Sequence, residues 1–547
     1  MSLAVLLAER ESDRVRTTDD GADAVAELRA GRWVRAAELF TALTAETDDP
    51  HAHEGLAQAA WWLDDAATAL GAREAAYRGF RAAGDDRGAA RAAAALGYDS
   101  MLFGAGVAVG RGWLARSSDL LGERVDVPEV GWLSVRRAEV ALNVDHDAAV
   151  ALGHATNARE VGRATADADL VVVAAALAGF AHVRLGDVDA GMALLDSAAA
   201  AATAGDVDDL MWMGKICCWL ISACQETHDL GRASDWCARV EEICLRRDLA
   251  PLFAVCRTQY ASVLHASGDS RGAESTLVEV LAGLERSRRL SRLDAVSQLG
   301  EVRRRQGRLV EAEQLLGQAG YLPSALTSLA QLRLDEGDPS RAWSTVAELL
   351  RRIPTTQLLD RVDALAVAVP AALASGHELE ARGAADELRR IADRVATSAI
   401  TAHADAAEAR MSGPGDDVPL WQDAVRRFHV AGLVFDEADA RLELAEALHH
   451  GGDDAGAREE KARALAVLAP LRARADRSDA GPLTGRQVEV IRLIARGLNN
   501  SEIAAELQVS EHTVHRHVAN IYTALDLGSR AAAAAYAVGH GLGRGAP

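Results

Sequence analysis

Two groups of side chains in this 547-residue chain have types and spacings suited to chemistry. The first is the polar run SEHTVHRHVAN, Ser510 to Asn520, which sets His512, Thr513, His515, Arg516 and His517 around the apolar Val514 and Val518. A guanidinium can donate two hydrogen bonds to guanine O6 and N7, while hydroxyls and imidazoles can hold phosphate oxygens, so the chemistry is recognition of a DNA duplex. The second group is cysteine. All six, Cys217, Cys218, Cys224, Cys237, Cys244 and Cys256, lie within forty residues. Cys217 and Cys224 are seven apart, as are Cys237 and Cys244, which puts each pair on one face of a helix, with His228 in the turn between. Clustered thiolates suit zinc, an iron–sulfur cluster or redox switching. No CxxC spacing accompanies them, however, and buried cysteine also serves as a small hydrophobe, so packing is the favoured expectation and a thiol sensor built on Cys217, Cys224, Cys237, Cys244 and Cys256 the alternative.

The elements that must carry the polar run follow from local rules. Thr484 with Gln487 three residues on is a capping box, and predicts a helix whose Val488, Ile491 and Ile494 share one stripe and whose end is Gly497. Asn499 with Glu502 repeats the box and opens a second helix, with Ile503, Ala504 and Leu507 inward, ahead of the break Gln508-Val509-Ser510. Ser510 then caps a third helix in which Val514, Val518, Ile521 and Leu525 form a buried face. Two helices joined by a three-residue turn make a helix-turn-helix, which sets its second helix in the major groove. At about 100° per residue, with Val514 inward, His512, Arg516, Ala519 and Thr523 point out and His515 flanks them. Arg516 is thereby the candidate base reader. Ser510, Thr513, His515 and His517 are the candidate phosphate contacts, and Asn500 and Asn520 complete the DNA-binding set.

The run LTGRQVEVIRLIARGLNNSEIAAELQVSEHTVHRHVANIYTALDLGSRAAAAAYA resembles the DNA-binding domain of the LuxR/GerE family of bacterial transcription regulators. That resemblance implies four helices, the third in the major groove and the fourth, roughly Arg530 to Val538, helping a homodimer form on a two-fold operator. Positions where the family usually carries lysine hold Ser501, His515 and Ala524, and Gln487 replaces the usual glutamate. From Ala480 to Pro547 there are six Arg, no Lys and five acids, a net +1, against −21 for the whole chain. Phosphate neutralisation supplies most non-specific affinity, so one copy of this module should hold DNA weakly. Histidines 512, 515 and 517 would add positive charge as pH falls.

The remaining chain, at −22, should repel nucleic acid rather than wrap it. Hydrophobic residues make up 49% and aromatics only 4%, the content of closely packed small helices. One turn recurs: a Gly or substitute, a small residue five places on, a large apolar one four beyond. It occurs at Gly31/Ala36/Phe40, Gly186/Gly191/Leu195, His228/Ala233/Cys237, Gly268/Ala273/Leu277, Gly307/Ala312/Leu316, Gly337/Ala342/Val346, Gly376/Ala381 and Gly452/Ala457, spaced 42, 40, 39, 30, 39 and 76 residues apart from Gly186 onward. This is an internal repeat of helical hairpins, weakest from Met101 to Val140. It resembles the tetratricopeptide repeats of MalT-like sensor regions, and that resemblance implies a superhelix with a concave groove for a small-molecule or protein effector.

The expected fold is all-α: a tetratricopeptide-like helical-repeat superhelix over 1–470, a linker over 471–482, and a four-helix LuxR-type helix-turn-helix domain over 483–547. The expected function is a DNA-binding transcription regulator with a sensing repeat region. A protein-interaction scaffold with a dimerising, non-DNA-binding tail is the competing class. No G-x-x-x-x-G-K-[ST] loop, G-x-S-x-G elbow or H-E-x-x-H helix occurs, and Gly214-Lys215 lacks its companions, so neither a catalytic site nor a cofactor is expected. No strand–helix alternation marks a receiver domain in Met1 to Val150. The start, MSLAVLLAERESDR, lacks a basic leader, and the longest apolar run, Leu170 to Val183, is too short to span a membrane and reads as a buried helix, so a cytoplasmic location is expected.

Overall fold

The computed structural model describes residues 19–539 apart from 248–249, 285–290, 321, 414–415, 479–484, 526 and 528. Among the described residues every regular element is an α-helix, twenty-eight in order. The first twenty-four, Asp19–Arg29 to Asp454–Ser478, pair as twelve successive hairpins, and the last four form a small C-terminal bundle.

Local chemistry explains the hairpins. Eleven of the twelve turns contain a residue in the left-handed region, from Gly31 at φ 77° to Gly452 at φ 83°, which reverses the chain after the first helix. The next residue is commonly Asp, whose carboxylate accepts the N–H three places on and caps the second helix: Asp229 to Arg232 at 3.1 Å, Asp269 to Gly272 at 2.9 Å, Asp453 to Gly456 at 2.9 Å. The small residue five places past the turn lies where the two helices cross. Ala36, Ala233, Ala273, Ala312, Ala342 and Ala381 are fully buried there, and a Cβ on Gly191 would sit 2.6 Å from the Gly179 carbonyl oxygen. The large partners Phe40, Leu195, Leu277, Leu316 and Val346 fill the space beside them.

Successive pairs stack chiefly through the second helix of one pair on the first helix of the next, as Val188–Ala204 does on Leu210–Glu226, and the first helices Ala168–Arg184 and Leu210–Glu226 also touch. A single apolar cluster consequently runs through the array from Trp33 to Ala407. The Leu170–Val183 run lies inside the helix Ala168–Arg184, with Leu170, Val173, Ala174 and Leu177 fully buried. Among the described residues no helix is long and apolar enough to cross a membrane.

The structure departs from the expected pattern in two places. Residues 101–140, where the repeat is weakest in sequence, contain the regular helices Val107–Leu121 and Pro128–Asn143. The Gly104 turn is followed by one extra residue before the helix, so its small residue, Gly110, comes six places on; a Cβ there would meet the Gly97 carbonyl oxygen at 2.5 Å. Asp64 and His146 also take the left-handed position, at φ 58° and 52°, without a glycine to betray it. At the other end, the last repeat helix continues to Ser478, through most of the expected linker. The Arg/Ala-rich stretch there has high helix propensity although it lacks an apolar stripe. Gly481-Pro482 and Thr484 lie outside the described residues.

Candidate nucleic-acid interface

The C-terminal bundle comprises α1 (Gly485–Ala495), α2 (Asn500–Glu506), α3 (Glu511–Leu525) and α4 (Arg530–Gly539). Its core contains Val488, Ile491 and Ile494 of α1, Ile503 and Ala504 of α2, and Val514, Val518 and Ile521 of α3, as the sequence marks, together with Val490 and Leu493 of α1 and Ala533 and Ala537 of α4, which it does not. Leu507 and Leu525 are partly buried against it.

Caps set the entry of each helix. Gly497 ends α1 at φ 87°. The Asn499 side chain accepts the Glu502 N–H at 3.0 Å and the Glu502 carboxylate accepts the Asn499 N–H at 2.7 Å, a complete capping box. Between α2 and α3 the chain turns through Gln508 at φ 52°, and Ser510 Oγ accepts the Thr513 N–H at 3.2 Å. The α2 helix stops at Glu506, one residue before the expected Leu507.

Two arginines that the sequence gives no role hold this arrangement. Arg486 donates to the Leu507 carbonyl at 2.8 Å, which pins the start of α1 to the turn before α3. Arg530 donates to Asn500 Oδ1 at 2.9 Å and to the Leu498 carbonyl, which pins α4 to the start of α2. The available signal was Ser529, whose Oγ accepts the Ala532 N–H at 3.1 Å and caps α4 immediately before Arg530.

The candidate contact residues fall as follows. Arg516, His515, Ala519 and Asn520 are exposed on α3, opposite buried Val514, Val518 and Ile521. Thr513 and His517 are half-buried on its flanks, and Ser510 is exposed at its N-terminus, its hydroxyl 2.8 Å from that of Thr513. Asn500 is half-buried and its side-chain oxygen is taken by Arg530, so it acts first as a positioning residue. The side chains of His512, Thr523 and Ala524 lie outside the described residues.

Electrostatics single out one of these. Arg486 pairs with Glu489, Arg496 pairs with Glu506 at 2.8 Å, and Arg530 is spent on Asn500 and Leu498. Among the described residues Arg516 forms no ion pair and stands exposed in the middle of the outward face. Among the described side chains the arrangement therefore presents one uncompensated guanidinium, flanked by imidazoles, hydroxyls and an amide, on a helix of a width that a major groove admits.

Among the described residues the cysteines form no comparable site. Cys217, Cys224 and Cys237 are 2%, 0% and 5% exposed and fill the apolar positions between their helices. Burial pushes the Cys237 thiol up to about 12 and the Cys224 thiol higher still, so both are held as neutral S–H. The side chains of Cys244 and Cys256 lie outside the described residues.

Comparison with known proteins bears on the C-terminal region. The profile of the bacterial regulatory proteins of the luxR family matches residues 481–537. The transcriptional regulatory protein LnrK of Bacillus subtilis is 45% identical over 60 residues, 11% of this chain and 27% of that protein. The response regulator protein VraR of Staphylococcus aureus is 42% identical over 60 residues, 11% of this chain and 29% of that protein. The chain thus spans little more than a quarter of the length of these relatives. A Rap protein complexed with competence and sporulation factor aligns with 60% of this chain and 95% of its own at 13% identity and a TM-score of 0.47, and human IFIT1 with 82% and 95% at 13% and 0.41. The C-terminal bundle is a LuxR-type helix-turn-helix domain, and it follows an all-helical repeat array.

Proposed function

We propose that this chain is a sequence-specific DNA-binding transcription regulator in which α3 enters the major groove. Arg516 reads a base edge, Ala519 and Asn520 lie beside it at the groove floor, and His512, Ser510, Thr513, His515 and His517 hold the flanking phosphates. Asn500 supports the interface from α2. The observation that carries the proposal is Arg516, exposed and without an ion pair among the described residues, at the centre of the second helix of a helix-turn-helix. The domain's small net charge makes a lone copy a weak binder, which favours homodimers on a two-fold operator. The repeat array supplies the sensor: an effector, either a small molecule or a protein segment, bound in its groove changes how well two terminal domains pair, and so couples occupancy to DNA affinity.

Duplexes selected from a random library by the full-length protein provide the test. Arg516→Ala should lower the ratio of selected to random DNA binding by about 1–3 kcal/mol per contacted base pair while circular dichroism stays unchanged. Unaltered discrimination in a folded variant overturns the assignment of α3 as the reading helix. The sensing half of the proposal fails separately, if association state and DNA affinity are the same with and without a bound effector.

A further inference from the structure

The repeat array folds back on itself. Gln357, at the start of the tenth helix pair, donates to the His146 carbonyl of the fourth at 3.3 Å, and Arg394 of the tenth donates to the Leu185 carbonyl of the fifth at 3.1 Å. Arg305 of the eighth meets Asp439 of the twelfth at 2.5 Å, and the His265 ring of the seventh lies 5.0 Å from Phe435 of the twelfth. These contacts make a seam between pairs that are distant in sequence. In the middle of it three side chains converge: His228 from the turn of the sixth pair (Leu210–Glu226 and Leu230–Arg247), Asp363 from the first helix of the tenth (Leu358–Ala374), and His403 from the first helix of the eleventh (Ser398–Met411).

We propose that His228, Asp363 and His403 form a binding site for a divalent metal ion of the zinc class, which clasps the sixth, tenth and eleventh helix pairs together. One ligand atom from each residue lies within 4.8 Å of the others. His228 Nε2 and Asp363 Oδ1 are 3.3 Å apart, which matches the edge, about 3.3 Å, of a tetrahedron with metal–ligand bonds of about 2.0–2.1 Å. A modest swing of the His403 imidazole completes the face. That ring is already seated edge-on against Phe428, at 4.9 Å and 73°, with the His228 ring 5.7 Å away.

The donor set and its surroundings favour a cation. Two imidazoles and one carboxylate suit zinc and its first-row neighbours rather than calcium or magnesium. Asp436 and Glu301 bear electrostatically on the group as well, with Arg410 as the opposing charge. Asp363 keeps 63% of its side-chain surface open to solvent while His228 keeps 20%. An ion can therefore enter from solvent on the Asp363 side, and three protein ligands leave its fourth position to water or to an effector's own donor atom. His228 also takes the left-handed backbone position, φ 54°, that glycine fills in eight of the other described turns. A side chain is kept there despite the steric cost.

The site stands independently of what the C-terminal domain reads, and its test involves no DNA. Full-length protein without a polyhistidine tag is stripped with a chelator and dialysed against cobalt(II) or zinc. The expected result is one ion retained per chain, visible ligand-field bands of low-symmetry cobalt, and a melting temperature raised by zinc. Asp363→Asn, an exposed and nearly isosteric change, and His228→Asn, which tolerates the left-handed backbone, should each abolish retention and the zinc-induced shift while leaving the metal-free melting temperature in place. A Cys217→Ser/Cys224→Ser variant should keep both. Failure of the parent protein to retain cobalt, or undiminished retention by folded Asp363→Asn, overturns the proposal.

Discussion

The buried thiols give the sharpest test of how this array senses anything, because a redox sensor needs a thiolate and burial disfavours one at Cys224 and Cys237. Cys224 and Cys237 are 0% and 5% exposed, and burial lifts the Cys237 thiol from an ordinary 9.0 to about 12. Three pH units mean about a thousandfold less thiolate near neutral pH, and thiolate is the species that attacks alkylating agents and peroxide. Iodoacetamide labelling resolved by peptide mass, in native protein and in guanidinium, should give native rates at Cys237 about a thousandfold below the unfolded rate. Cys224, pushed further in the same direction, should be slower still. The native rate should climb about tenfold per pH unit without levelling off near the pKa of a free thiol. Labelling of either residue at close to its unfolded rate would refute the reasoning, since it would mean that a nearby charge or an opening motion creates thiolate in the folded chain. Mild peroxide should correspondingly leave Cys224 and Cys237 unmodified in the folded chain.

Three other outcomes are expected. Gly191→Ala pushes a Cβ to 2.6 Å from the Gly179 carbonyl oxygen and should cost about 1–3 kcal/mol in urea unfolding, whereas Gly153→Ala, exposed in a helix with nothing within 4 Å, should gain up to about 1 kcal/mol. Asn499→Ala removes the acceptor of the Glu502 N–H and should cost the C-terminal bundle about 0.5–2 kcal/mol, read as faster hydrogen exchange of the α2 amides. Burial pushes Glu301 up, but the Arg304 guanidinium 2.7 Å away and Arg305 beside it prevail and hold its carboxyl at about 2. Its pKa is depressed in the fold, so its contribution, at most about 3 kcal/mol, is present above the ordinary 4.5 and lost as pH falls towards 2. The difference in urea midpoint between Glu301→Gln and the parent protein should accordingly shrink over that window.

What the sequence shows of this molecule tracks how local the determinant is. The hairpin turn is written within ten residues, as at Gly268, Asp269, Ala273 and Leu277, and each of those residues takes the predicted place because its own backbone conformation, cap or close approach demands it. Asp64 and His146 escape notice for the same reason reversed: a left-handed aspartate or histidine leaves no compositional mark, although the Ala69 and Ala151 that follow are as buried as any. The outward face of α3 is equally local, since 100° per residue and the position of Val514 fix where Arg516 points.

Arg530 lies one step beyond, as its partners Leu498 and Asn500 are brought to it only once α4 has packed on α1. The triad of His228, Asp363 and His403 lies further still. Successive members are 135 and 40 residues apart, and their meeting depends on the accumulated rotation of several stacked pairs rather than on any one of them. A change of a few degrees per pair, repeated across that span, would part those ligand atoms by more than a metal bond can bridge. An ion bound there would therefore fix the pitch of the array, and effectors that alter the pitch would alter metal affinity by the same factor, as linkage requires.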